Sequence, residues 1–339
     1  MVGAVLVHSD RIIGEGYHKM YGAAHAEVNC IDSIGRDEKG LIAESTLYVS
    51  LEPCAHFGKT PPCTDLIIRS GIRKCIIACR DPFMEVNGKG IEKLVHAGVH
   101  VETGILEKEA IELNRRFFTF HTKHRPYVIL KWAQTADSII GTEAGSNGDF
   151  ERLLISNEYA NRLTHQWRSS EAAIIVGTNT ALQDNPALTT RLWPGPSPTR
   201  LVIDMKLSLP SSLQLFDGSQ PTIIFNSIKH DVTGNPAYYK IAYDSGFVQK
   251  LCTALYQLKI QSVIVEGGAR LLQSFIDAGI WDEARVIRSH SVYAAKNLRG
   301  IAAPKLSPAK KINELTLMND SIEFYIPEHE TFLKRHYDS

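Results

Sequence analysis

Two short strings bring chemistry-bearing side chains together: HAEVN, beginning at His25, and LEPCAHFGKTPPC at 51–63. They supply an imidazole, a carboxylate and two thiols, from His25, Glu27, Cys54 and Cys63. Thiolate and imidazole suit zinc, a borderline-soft cation that prefers tetrahedral nitrogen and sulfur ligands. A structural zinc site takes four protein ligands, whereas a catalytic ion is held by three and keeps a position open for water. His25, Cys54 and Cys63 make three. Cys63 follows Pro61-Pro62 at an expected helix start and His25 opens another. The partial positive charge at a helix N-terminus favours thiolate over thiol. Glu27 stands two positions after His25, and residues i and i+2 do not share a helix face. Its expected part is to take a proton from the attacking water and deliver it to a substrate nitrogen.

The second half of the chain has no Cys/His cluster, no Gly-x-Ser-x-Gly and no Walker loop. Its best local signal is VEGGARLL at 265–272, an apolar strand followed by two glycines and a helix start. Backbone N–H groups can approach an anion at such a junction, so a pyrophosphate could sit there. The spacing is not Gly-x-Gly-x-x-Gly, and a standard dinucleotide fingerprint is absent.

These groups need elements to position them. GAVLV (3–7), TLYVSL (46–51), KCIIAC (74–79) and VHVET (99–103) read as strands, with helical periodicity at 25–36, 63–70 and 88–97 between them. Gly71 and Gly98 fall where helix C-caps are expected. Such alternation predicts a sheet covered by helices on both faces. A second series begins after Arg125-Pro126, with strands at 127–133, 172–177, 200–204, 222–226 and 262–268 and helices at 157–168, 248–259 and 269–278. Proline restrains its predecessor, which makes this pair the seam between domains 1–124 and 125–339.

Composition narrows the partners. The 339 residues carry 37 Lys plus Arg against 37 Asp plus Glu, a balance that argues against a general polyanion binder. Six cysteines without framework spacing point to a reducing, cytoplasmic setting, with Cys30, Cys75, Cys79 and Cys252 read as packing residues. No signal peptide and no uninterrupted apolar run long enough for a membrane span is visible.

The string His-x-Glu followed by Pro-Cys and a further Cys resembles the zinc-deaminase signature. That signature has Cys-x-x-Cys, whereas eight residues separate Cys54 and Cys63 here. The inserted AHFGKTPP supplies His56, Lys59 and Thr60, a cation and a hydroxyl that suit a phosphorylated substrate. The whole segment resembles the pyrimidine deaminase of riboflavin biosynthesis, as do GYH at 16–18 and RDP at 80–82, which implies that His18 and Asp81 line the substrate pocket. VGTNTALQDNPALTTR (176–191), LKWAQTADSIIG and RLVID resemble the reductase half of the same bifunctional family. The resemblance runs from Val2 to about Pro304, in the family's domain order.

That resemblance implies a cytidine-deaminase-like three-layer α/β domain followed by a dihydrofolate-reductase-like α/β domain. It implies Zn2+ and NADPH as cofactors, phosphorylated pyrimidines as substrates, and a homodimer as the default assembly. Gln134, Thr180, Asp184 and the segment Gly268, Ala269, Arg270, Leu271, Leu272, Gln273 and Ser274 would contact NADPH. Arg168, Leu188, Arg191 and Glu266 would hold the ribose phosphate, with paired arginine N–H donors suited to a phosphate.

Two departures stand out. The family opens with a helix and a Pro-Asn-Pro turn, whereas Met1 here directly precedes Val2-Gly3-Ala4-Val5. The expectation is a fragment or an earlier native start, with apolar sheet surface exposed as a result. At 145–156 a Gly-x-Ser-x-Trp-Ile pattern gives way, its Ser and Trp positions falling on Arg152 and Leu154. No contacts are carried over there. Rival classes are a nucleic-acid base deaminase with an appended domain, disfavoured by the neutral charge, and a non-catalytic zinc-stabilised module.

Overall fold

A computed structural model describes residues 1–20, 22–58, 60–83, 86–143, 153–292 and 299–328. The chain divides into two compact units, Met1–Lys123 and His124–Ser339. Lys59 and residues 145–152 lie outside the described residues.

The first unit runs β1 (Gly3–His8), β2 (Arg11–Tyr17), α1 (Ala26–Asp32), β3 (Thr46–Val49), α2 (Cys63–Arg69), β4 (Lys74–Ile77), α3 (Lys89–His96), β5 (His100–Thr103), α4 (Glu107–Leu113) and α5 (Arg115–Lys123). The sheet order is β2-β1-β3-β4-β5. β1 pairs antiparallel with β2 and β3, and β3, β4 and β5 are mutually parallel. Alternation sets the faces. Ala4, Leu6, Leu47 and Val49 turn into a core shared with Ile67, Cys75, Ile77 and Leu94. Val5 and Tyr48, on the opposite face, line an open cavity of about 910 Å³ together with Leu106, Ala110 and Leu113.

Gly71 and Gly98 adopt φ of +71° and +82°, the left-handed C-cap conformation expected of them. The periodicity over 25–36 yields a shorter helix, because a 3-10 turn takes over from Arg36 to Glu44. β2 did not stand out in the sequence, since Gly14 and Gly16 break its pattern. They are there because α1 crosses close above: a Cβ on Gly16 would lie 2.3 Å from the Cys30 nitrogen.

The second unit runs β6 (Tyr127–Gln134), β7 (Ile139–Thr142), α6 (Glu158–Ser169), β8 (Ala173–Gly177), α7 (Thr178–Asp184), β9 (Thr199–Ile203), β10 (Thr222–Asn226), β11 (Ala237–Lys240), α8 (Phe247–Gln257), β12 (Ser262–Glu266), α9 (Ala269–Asp277), β13 (Glu283–Ser289), β14 (Gly300–Ala302), β15 (Ala309–Leu317) and β16 (Asp320–Pro327). The large sheet is ordered β11-β10-β9-β8-β12-β6-β13-β16-β15. Its strands are parallel from β11 to β13, and β16 and β15 close one side antiparallel. β8 and β12 read as unbroken apolar runs because both faces are buried, one core holding Leu130, Val265 and Phe275 and the other Ile129, Ile174 and Ile264. In such sheets ligands bind at the carboxyl ends of the strands. Gly177, Glu266 and Gln134 occupy those ends here.

The Gly16 contact makes a test of how α1 is seated. Gly16→Ala is expected to destabilise the first unit by about 1–3 kcal/mol through overpacking against α1. An unchanged urea midpoint would show that the helix accommodates a methyl group.

Candidate active sites

His25 is the N-cap residue of α1 and Cys63 is the first residue of α2, so both ligand candidates sit at helix starts. The Nδ1 of His25 lies 3.5 Å from Cys54 Sγ and 3.3 Å from Cys63 Sγ. The three donor atoms lie within 4.8 Å of one another, and among the described residues no fourth His, Cys, Asp or Glu joins them. The Cys54 thiol is lowered to about 4 by a hydrogen bond from Cys63, with His25 and the Cys63 N–H assisting against burial. Cys63 is pushed up by its bond to Cys54 and by burial. Two sulfurs and an imidazole nitrogen this close together are a donor set that a divalent zinc ion fits, because it can replace the protons on both sulfurs.

Glu27 is 3% exposed and meets the Cys63 side chain, with Cys54 and His25 near enough to act on its charge. Burial is the main force raising its carboxyl above the usual range. The His18 ring stands edge-on to His25, centroids 5.3 Å apart, with its Nδ1 3.1 Å from the Ala24 carbonyl oxygen. Burial raises Asp81 to about 6; the Phe83 N–H opposes the shift, Glu52 adds to it, and His56 and Cys54 also act on it. The structure therefore gathers His18, His56 and Asp81 around the three donors, and Thr60 shares their loop. The Lys59 expectation falls outside the described residues.

A residue not singled out from sequence holds this arrangement. Glu52, two positions before Cys54, is buried and accepts hydrogen bonds from four backbone N–H groups. Those of Asp81 and Gly88 reach Oε2 at 3.2 and 3.0 Å, and those of Gly90 and Ile91 reach Oε1 at 2.9 and 3.3 Å. Three of the four belong to the start of α3, so the carboxylate caps that helix while bracing the zinc loop. A Cβ on Gly90 would come within 2.0 Å of the Pro53 carbonyl oxygen. Burying an acid within a Pro-Cys segment was the available sequence signal.

In the second unit a cavity of about 490 Å³ is lined by Lys131, Arg168, Asp184, Leu188, Arg191 and Glu266, among others. A neighbouring cavity of about 570 Å³ is lined by Thr178, Thr180, Gly268, Ala269, Arg270 and Ser274. Thr180, Gln183, Gly268 and Ile301 line both. The Gly268 N–H donates to Thr180 Oγ1 at 2.8 Å, which ties the α9 start to α7. No side chain caps α9, and its first-turn N–H groups suit a phosphate.

Arg168 forks onto Glu266, with Nε to Oε1 at 3.1 Å and Nη2 to Oε2 at 2.6 Å. The expected pair of arginines on a phosphate is thereby redistributed: Arg168 is committed to a carboxylate, and Arg191 is the exposed cation. Lys131, the one charge inside β6, adds a further cation 4.0 Å from Glu266. Burial lowers Lys131, Arg168 lowers it further and Glu266 opposes. Glu266 is held at about 2 because Arg168 and Lys131 outweigh the opposing effect of burial.

Three of the expected cofactor residues turn elsewhere. Gln134 spends its amide on Trp132 and Ser138. Leu272 is in the core, and Gln273 bonds Asp277 and the Lys305 N–H. The helical period explains the last two: of the turn 269–274, only Ala269, Arg270, Leu271 and Ser274 face the cavity.

Fold and sites define a two-domain α/β enzyme, a zinc-binding deaminase joined to a reductase. Residues 1–79 match the cytidine and deoxycytidylate deaminase zinc-binding region, and residues 126–289 match the RibD C-terminal domain. The chain is 40% identical to a riboflavin biosynthesis protein RibD of Aquifex aeolicus over 83% of its length and 78% of that protein's. It is also 40% identical to one from Bacillus amyloliquefaciens, over 90% of this chain and 81% of the relative. A solved deaminase/reductase from Thermotoga maritima superposes with a TM-score of 0.80 at 34% identity, covering 96% of this chain and 91% of that one. The chain belongs to the RibD family of riboflavin biosynthesis proteins and is a bifunctional deaminase and NADPH-dependent reductase.

Glu266 links the second site to stability. Its folded affinity for protons is depressed, so it contributes stability at pH above about 4.5 that is lost as pH falls toward about 2. Glu266→Gln, which strands Arg168 and Lys131, is expected to cost about 3–5 kcal/mol. It should also flatten that acid limb, as read by denaturant melts across the window.

Proposed function

We propose that the first unit deaminates 2,5-diamino-6-(5-phosphoribosylamino)pyrimidin-4-one and that the second reduces the ribosyl group of the product to ribityl 5-phosphate. The observation that carries the reading is the three-donor cluster with Glu27 buried against it. Family membership supports both halves, and the solved Thermotoga maritima relative is described as a deaminase and reductase of such compounds.

His25, Cys54 and Cys63 would hold zinc, which would supply the Lewis acidity that makes a water easier to deprotonate. Glu27 takes a proton from the attacking water and passes it to the departing amino nitrogen, which leaves as ammonia, while the water's second proton goes to the adjacent ring nitrogen as the ring carbon becomes a carbonyl. Asp81, His18 and His56 orient the pyrimidine, and Thr60 faces its phosphate end. Glu52 fixes the backbone from which Cys54 and Asp81 project.

NADPH supplies a hydride for the second reaction when bound along Thr180, Asp184 and the start of α9. Arg191 grips the ribose phosphate, Leu188 packs against the substrate, and Glu266 orients sugar hydroxyls while holding Arg168. Lys131 offers a buried cation beside the same sugar. We assign the protein to the cytoplasm, which six unpaired thiols suit. No helix among the described residues is long and apolar enough to cross a membrane. We take a homodimer as the working assembly; a monomeric mass by light scattering would remove it.

Glu27→Gln keeps the shape and removes the base. Ammonia release should fall by about 10²–10⁴-fold with one equivalent of zinc retained by metal analysis; loss of the metal would recast Glu27 as a ligand. Arg191→Ala should raise KM for the phosphorylated reductase substrate about ten- to a hundredfold, the range of a hydrogen bond to a charged group. KM for NADPH should change little, and an unchanged substrate KM would take Arg191 out of the phosphate grip.

A further inference from the structure

His165 lies on α6 one turn before Arg168 and is 4% exposed. With Asn161, Thr164 and Arg168 it forms the face of α6 that lines the substrate cavity. The Arg191 backbone N–H points at His165 Nδ1 from 3.1 Å. A ring nitrogen that accepts an N–H cannot carry a hydrogen, so in a neutral ring the proton must sit on Nε2. The ring is neutral: burial foremost, then Arg168 and Arg191, lower it to about 4, with Lys131 adding and Glu266 opposing.

Nε2–H is then a donor whose orientation is set by the helix on one side and the Arg191 main chain on the other. No described protein group accepts from it, and it is absent from the polar atoms sealed without a partner. The cavity around it holds Lys131, Arg168 and Arg191 against the carboxylates of Glu266 and Asp184. Arg191, whose backbone is bonded to the ring, is also the cation with no bonded acceptor among the described residues.

We propose that His165 is a substrate-binding residue of the reductase site, its Nε2–H donating to a phosphoryl oxygen of the ribosyl phosphate while its Nδ1 holds the Arg191 segment in register. A neutral imidazole donates one directed bond next to the guanidinium. Phosphoryl oxygens only accept, so they match a lone fixed donor better than a hydroxyl that must also place its own hydrogen. This deepens the proposed reductase reading and rests on it.

The test compares the full, zinc-loaded wild-type chain with H165Q and H165L. Each is assayed for NADPH oxidation with the deaminated substrate in its phosphorylated and dephosphorylated forms. Glutamine can accept with its carbonyl and donate with its amide, whereas leucine can do neither. H165L should raise KM for the phosphorylated form about tenfold or more, leaving KM for NADPH and for the dephosphorylated form within about twofold. H165Q should recover most of the loss.

Equal rises for both substrate forms would overturn the phosphate contact in favour of a sugar hydroxyl. Equal damage from H165Q and H165L would also overturn the proposal, as would no change in either. A second readout is independent of turnover. In ¹⁵N-histidine-labelled wild type, the Nε2–H signal of His165 should shift on titration with inorganic phosphate, while Nδ1 keeps its unprotonated signature. A protonated Nδ1, or an Nε2–H signal indifferent to phosphate, sinks the proposal. Failure of the wild type to oxidise NADPH with either substrate form would instead count against the reductase reading, with the titration still judging His165.

Discussion

Four backbone N–H groups converging on one buried carboxylate hold the deaminase site together. Glu52 draws them from Asp81 and from the first turn of α3, and its own chain continues through Pro53 into Cys54. Hydrogen bonds to an ionised acceptor are roughly twice as strong as neutral ones. A buried N–H left without a partner costs about 1–3 kcal/mol. The arrangement is therefore cooperative in a simple sense: the loop, α3 and Asp81 share one acceptor. Gly90 completes it by letting the backbone of α3 approach Pro53 without a side chain between them.

The reductase site uses a different means to fix its groups. Lys131, Arg168 and Glu266 come from β6, α6 and β12, and each is buried enough that its charge depends on the others. A carboxylate between two cations at the carboxyl ends of parallel strands gives the cavity fixed polarity without a metal ligand set. Breaking any member leaves uncompensated charge in a poorly solvated place, which is why these residues are organised before a substrate arrives.

Much of this was legible from residue types. The cluster of His25, Cys54 and Cys63 could be read because thiol, imidazole and proline occur together at helix starts, and the uncapped start of α9 because two glycines follow an apolar strand. The chain divides after Lys123, close to the Arg125-Pro126 pair. Other features were hidden for physical reasons. β2 lost its alternation to glycines required by α1, and β13, β15 and β16 carry charges on faces that apolar counting skips. Glu52, Lys131 and His165 look like ordinary polar residues until tertiary packing buries them. Gln134, Leu272 and Gln273 show the converse: positions carried over from a family pattern whose side chains are engaged elsewhere in this chain.

The paired cavities of the second unit have a thermodynamic consequence. Thr180, Gln183, Gly268 and Ile301 form a party wall, and the Gly268–Thr180 hydrogen bond runs within it. On the proposed reading, a nucleotide seated on one side would immobilise groups that the sugar phosphate meets on the other. Ordering that wall costs free energy once, and whichever ligand arrives first bears it. The second guest then binds to a surface already set, and by linkage the synergy has the same magnitude in either order of addition.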